Sequence, residues 1–204
     1  ITYDRKTALF RDDIEFLTID HPMLTGALDL FLSSEHGSSA FALWPDPKKK
    51  ELVLECVYIL ECITSAQYNS DRFLPPLPLR VAVNHLGKEV TTDYLVARTS
   101  GLLKKGSIKP LLSNQEFCTV LIPSMLETSS IIAQQKMKPY IEDAIMEMKQ
   151  FYDAETNRLK RLSDLGAEIT QEEFLQIEEE SAHLTRVFNK ARLRLDSVCL
   201  IKRS

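Results

Sequence analysis

The residues most able to do chemistry are few and scattered. Asp20 stands directly before His21, and an aspartate beside an imidazole can orient it for acid or base duty. The pair also precedes Pro22, where a helix would begin, and both side chains suit capping there. Capping is the reading adopted. Glu55 and Glu61 fall on one face of a strand, but six residues on a strand separate them by roughly 20 Å. Paired carboxylates in glycoside hydrolysis stand about 5 to 9.5 Å apart, so these two are expected to be solvated or edge-facing. Gly87-Lys88 is the sole Gly-Lys pair; Ala82 and Glu89 occupy the positions where a phosphate-binding loop needs Gly and Ser or Thr. No Ser lies in a nucleophile-elbow pattern, and no Cys has a His and basic residues around it in sequence. The chain presents no catalytic motif, and the expected catalytic, cofactor-binding and metal-ligating sets are empty.

Cys56, Cys62, Cys118 and Cys199 form no closely spaced pair, and His21, His36, His85 and His183 are dispersed. Structural zinc needs ligands clustered at short spacings, so free thiols in the core are expected. With 44% hydrophobic and 26% charged residues the composition is that of a globular protein. No uninterrupted apolar run approaches the roughly 20 residues of a membrane span, and no membrane partner is expected. A net charge of -4 supplies no overall attraction to nucleic acid, so such binding would rest on local patches. Basic clusters occur at Lys48 to Lys50, Lys104-Lys105, Arg158-Lys160-Arg161 and Lys190-Arg192-Arg194. Arg158, Lys160 and Arg161 are the candidate partner contact, because Arg158 and Arg161 lie one helical turn apart near a connecting loop. Glu178 to Glu180 on the facing helix could instead pair with them.

The elements that position these residues read as an α+β chain. From Pro22, apolar residues at Leu24, Ala27, Leu28, Phe31 and Leu32 trace one buried helical stripe, with Gly37 beyond its end. Ser39 to Trp44 and Glu51 to Thr64 predict a hairpin of strands, the second apolar on both faces and therefore central in a mixed or antiparallel sheet. Three prolines between Phe73 and Leu79 predict a rigid extended connector. Ser113 and Glu116 suggest a capping box for a short helix through Leu121, with Pro123 opening or redirecting the next. A seam of Ile141, Ile145, Met148, Tyr152, Leu159 and Leu162 continues to Gly166. Thr170 and Glu173 then cap a second helix with Phe174, Ile177, Ser181, Leu184, Phe188 and Ala191 on its inner face. The result is a long antiparallel helical hairpin, its first arm on the order of 60 Å with Pro139 as its bending point, closed by a strand from Arg192 to Ile201. Residues 1–112 form a sheet-containing part and 113–204 the hairpin and closing strand, expected to pack as one C-terminal domain.

Several stretches also carry a resemblance. Ile1-Thr2-Tyr3-Asp4-Arg5, Thr7-Ala8-Leu9 and Phe16-Leu17-Thr18-Ile19-Asp20-His21-Pro22-Met23 come first. Arg72-Phe73-Leu74-Pro75-Pro76-Leu77-Pro78-Leu79-Arg80 and Arg194-Leu195-Asp196-Ser197 follow in the same order. Together they resemble the C-terminal region of the RapA (HepA) family of bacterial RNA polymerase-associated, Swi/Snf-type helicase-like ATPases. The resemblance spans the chain and is loosest from Thr91 to Lys109. It implies a cytoplasmic role in transcription: the parent protein binds core RNA polymerase and uses ATP hydrolysis to promote its recycling on DNA. It also implies that ATP, Mg and DNA are bound by upstream ATPase lobes, outside a chain that reads as a piece of a longer one, so no catalytic residue is carried over. The function expected is a non-catalytic accessory domain with no small-molecule substrate of its own. The alternative is a free-standing interaction module docking through its hairpin, and a hydrolase built on Asp20 and His21 ranks last.

Overall fold

A computed structural model describes residues 1–11, 13–33, 39–46 and 49–204. It contains two compact units, Ile1–Ser39 and Ala40–Ser204. In the first, α1 (Arg5–Phe10) begins where the Asp4 carboxylate accepts the Lys6 N–H at 3.0 Å and the Thr7 hydroxyl at 2.7 Å. The second helix, α2, spans Pro22–Ser33, as the sequence predicts. Its expected buried stripe is not seen at Leu28, which is 46% exposed; so short a unit has too little chain to close a core. The expected stop at Gly37 lies outside the described residues.

The second unit is built on a mixed five-stranded sheet of order β3-β2-β5-β1-β4. The strands are β1 (Ser39–Trp44), β2 (Glu51–Glu61), β3 (Leu77–Asn84), β4 (Lys104–Lys105) and β5 (Arg192–Arg203). Between them lie α3 (Thr91–Thr99), α4 (Lys109–Leu112), α5 (Ile122–Asp164) and α6 (Gln171–Phe188). The α+β class with a long helical hairpin and a closing strand is therefore observed. The predicted β1–β2 hairpin is not: β5 lies between the two.

Charge explains the insertion. Glu51 faces Arg203 at one end of the β2–β5 ladder and Glu61 faces Arg192 at the other, with ion pairs of 2.8 and 3.0 Å. A one-residue slip would break both pairs and turn every side chain to the wrong face. Arg203 also reaches Asp46 at 2.6 Å and covers the Trp44 ring at 3.9 Å, fastening the end of β1 to β5. Ser204 N–H bonds to the Trp44 carbonyl and Asp46 N–H to the Ser204 carbonyl, the alternation of a parallel pair, whereas β2 runs antiparallel to both its neighbours.

β2 is central and apolar on both faces, as its composition predicts. Leu54, Cys56, Tyr58 and Leu60 face a core completed by Met125, Ala133, Ile141 and Met148 of α5 and Leu184 and Phe188 of α6. Val53 joins a smaller core on the other side with Trp44, Ala82, Tyr94 and Ile201. Within the proline segment, Phe73 and Leu74 are buried and the strand already begins at Leu77. Pro78 is tolerated because β3 is an edge strand, where a missing donor costs a ladder bond on one side only.

The helical half corrects one detail. Ser113 does not cap: its hydroxyl donates to the Lys109 carbonyl, while Asn114 accepts the Phe117 N–H at 3.3 Å. Pro123 sits in the first turn of α5, which begins at Ile122, and so opens the long helix as expected. A π-turn over Phe117–Leu121 runs directly into α5, with Ile122 N–H bonding to the Phe117 carbonyl, and this shifted register absorbs the donor that Pro123 lacks. Further on, α5 stays helical through Pro139, whose absent N–H frees the Gln135 carbonyl. The 43 residues of α5 extend about 65 Å. From Phe117 to Asp164 the helix is long enough to cross a membrane, and its most apolar stretch has a mean hydropathy of 1.2. Here Phe117, Met125, Ala133, Ile141 and Met148 instead face the protein's own core.

Candidate partner-contact surface

The hairpin seam forms as predicted. Ile141, Met148 and Leu159 are buried and Ile145, Tyr152 and Leu162 half-buried on α5, opposite buried Leu184 and Phe188 on α6. Gly166, at φ 91°, takes the left-handed turn after α5 that an L side chain resists. Thr170 and Glu173 then make the reciprocal capping box: the hydroxyl accepts the Glu173 N–H at 3.4 Å and the carboxylate accepts the Thr170 N–H at 2.8 Å.

The α5 residues that share the sheet-facing core end at Tyr152. The twelve residues from there to Asp164 carry the arm about 18 Å farther. Arg158, Lys160 and Arg161 all lie on this extension and are exposed. They are not equivalent. Arg158 is held by Glu155 of the same helix at 2.5 and 2.9 Å, and that bond keeps the Glu155 carboxyl below its ordinary range. Among the described residues Lys160 and Arg161 make no ion pair. Glu180 of the facing helix engages the Tyr152 hydroxyl and Gln176 rather than the arginines.

The other residues singled out for chemistry are structurally committed. His21 accepts the Met23 N–H on Nδ1 at 3.1 Å, which leaves the proton on Nε2, 3.0 Å from Glu15. The histidine caps α2, and the carboxylate it meets is Glu15, not Asp20. Gly87-Lys88 closes a tight turn in which Asn84 Oδ1 accepts the Leu86 and Lys88 N–H groups, so those amides are not free for phosphate. Cys56 is buried, Cys62 and Cys199 half-buried, and Cys118 exposed, the last contrary to the expectation of core thiols. Burial pushes the Cys56 and Cys199 thiols up, away from nucleophilic character. Among the described residues no three His, Cys, Asp or Glu side chains group as metal ligands would. Of the basic clusters, Lys104 and Lys105 form edge strand β4, Arg192 and Arg194 both hold Glu61, and Lys48 lies outside the described residues.

Glu55 differs most from expectation. Its side chain is 3% exposed and lies under α3, at 2.9 Å from Arg98, 3.1 Å from Arg80 and 2.8 Å from the Tyr94 hydroxyl. Burial first, and then the Glu55 carboxylate, drive the Tyr94 phenol upward, so it stays a neutral donor. The node pins α3 to β2 and β3. A lone acid in a strand apolar on both faces was the visible signal for it.

Along its whole length the chain matches a known sequence pattern: residues 1–202 fit the C-terminal model of the RNA polymerase recycling family. The chain belongs to this family. RNA polymerase-associated protein RapA of Vibrio campbellii is 33% identical over 98% of the chain. The RapA proteins of Histophilus somni and Haemophilus influenzae are 35% and 30% identical over the same share. The chain spans about a fifth of the length of the curated relatives it matches, 21% of the Vibrio campbellii protein. Within the RNA polymerase recycling family it thus corresponds to the C-terminal region, as the resemblance implies.

Proposed function

We propose that this chain is a non-catalytic C-terminal accessory part of an RNA polymerase-associated, ATP-dependent transcription recycling factor, working in the cytoplasm or nucleoid. The observation that carries this reading is the match of residues 1–202 to the family's C-terminal region. ATP, Mg and DNA would then be handled by upstream lobes, and the partner of the larger protein would be core RNA polymerase.

In this reading the hairpin end is the contact surface, with Arg161 and Lys160 meeting acidic groups of the partner and Arg158 exchanging Glu155 for one of them. Support comes from the exposure of all three on an arm whose apolar seam is already satisfied. The test is retention of the chain on immobilised core polymerase, with Arg158→Glu/Arg161→Glu as the variant. Wild type is expected to be retained and the variant to be retained several-fold less at physiological salt. Equal retention of the two refutes the hairpin contact. Failure of wild type to be retained, with removal of this region from a full-length relative leaving its own retention unchanged, refutes the polymerase role.

A further inference from the structure

Two clefts join along α6. One, of about 690 Å³, is lined by Gln67, Tyr68, Gln176, Glu179, Glu180 and His183. The other, of about 450 Å³, is lined by Ile63, Arg186, Val187, Lys190 and Arg192 and shares His183 with the first. Arg186 also borders both, so the two are one continuous groove.

Charge is sorted along it. The second cleft has three cations and no carboxylate on its walls, in a chain whose net charge is -4. Among the described residues Arg186 bonds only to the Ala182 carbonyl of its own helix, and Lys190 has no ion pair. Arg192 leans on Glu61 and keeps further N–H groups for another acceptor. At the junction the Tyr68 and His183 rings stack at 4.0 Å and 20°, and His183 Nε2 is fixed 3.2 Å from the Thr64 hydroxyl. Beyond them stand the Gln67 and Gln176 amides, which can pair with base edges, and the Glu179 and Glu180 carboxylates, which repel phosphate; Glu180 is already engaged by Tyr152 and Gln176.

We propose that this groove binds single-stranded nucleic acid, with backbone phosphate on Arg186, Lys190 and Arg192 and a base against the Tyr68–His183 stack. A cationic track beside a ring platform is the arrangement that holds single strands with little sequence preference. A duplex hides its base faces and meets only the cations. The inference does not rest on the polymerase reading and survives its failure.

Fluorescence anisotropy of labelled ten-nucleotide RNA, ten-nucleotide DNA and the corresponding DNA duplex decides it, using the 204-residue chain at two salt concentrations. At least one single strand is expected to bind more tightly than the duplex, and comparison of the RNA and DNA arms identifies the natural source. Affinity should fall with salt at a log–log slope of about -0.7 for each phosphate neutralised. Arg186→Glu/Lys190→Glu, at exposed positions, should weaken binding at least tenfold, and Tyr68→Ala about fivefold or more. Thermal melting of each variant establishes that it folds; should Tyr68→Ala fail to fold, the charge-reversal pair decides alone. No binding by either single strand, a duplex bound as tightly, or a folded charge-reversal variant binding like wild type overturns the proposal.

Discussion

The Glu55 node makes an asymmetric prediction about stability. Arg80 and Arg98 are 35% and 48% exposed at their side chains, whereas Glu55 is 3% exposed. Removing the acid by Glu55→Gln leaves two cations that water can reach, and the amide still accepts from Tyr94, so the cost should be about 1 to 2 kcal/mol. Removing both cations, as Arg80→Met/Arg98→Met, leaves a carboxylate buried with only the Tyr94 hydroxyl. Breaking a buried pair from that side costs about 3 to 5 kcal/mol. With a urea dependence of about 2 kcal/mol per molar, the double variant should unfold roughly 1.5 to 2.5 M earlier than wild type. Adding Glu55→Gln to it should recover stability rather than reduce it, because the charge left without partners is then gone. Equilibrium urea unfolding followed by circular dichroism measures all four proteins. A double arginine variant losing less than about 1 kcal/mol, or a triple variant less stable than the double, refutes the account of Glu55 as a buried charge held by those arginines.

Two further outcomes follow from the hairpin and the ladder. Thr170→Ala removes one half of the capping box and should cost about 1 kcal/mol in urea unfolding, with Thr170→Ser restoring most of it. Arg192 lowers the Glu61 carboxyl from its ordinary value of 4.5, so the folded state gains stability from this pair above that pH and loses it as pH falls through the lowered value. Acid unfolding of Arg192→Met should therefore lack part of the stability loss that wild type shows below pH 4.5.

How much of this was readable beforehand divides by sequence distance. The hairpin was legible because its signals are local: a period of 3.5, Gly166, and Thr170 with Glu173. The central place of β2 was legible from apolar residues on both faces. What was hidden is non-local. One neighbour of β2 is β5, more than 130 residues away, and the charges that set their register, Glu51 with Arg203 and Glu61 with Arg192, mean nothing until the strands lie side by side. Proximity in sequence favoured β1 instead. Glu55 was misread because a strand face was counted without α3, whose segment was the least readable in the chain. The groove went unnoticed because Tyr68 and His183 stand over a hundred residues apart, although Lys190 and Arg192 were visible as a cluster.

The position of β5 bears on how the protein is made. A ribosome releases β1, β2, β3, β4 and then both long helices before β5 emerges, so until that moment β1 and β2 each have an open edge and no common neighbour. The sheet closes only when β5, the last of its five strands to be made, slides between two made earlier. A chain interrupted anywhere before Arg192 keeps those edges bare and stays open to proteases and to pairing with other chains. Sheet closure thus reports, within the chain itself, that synthesis has passed β5.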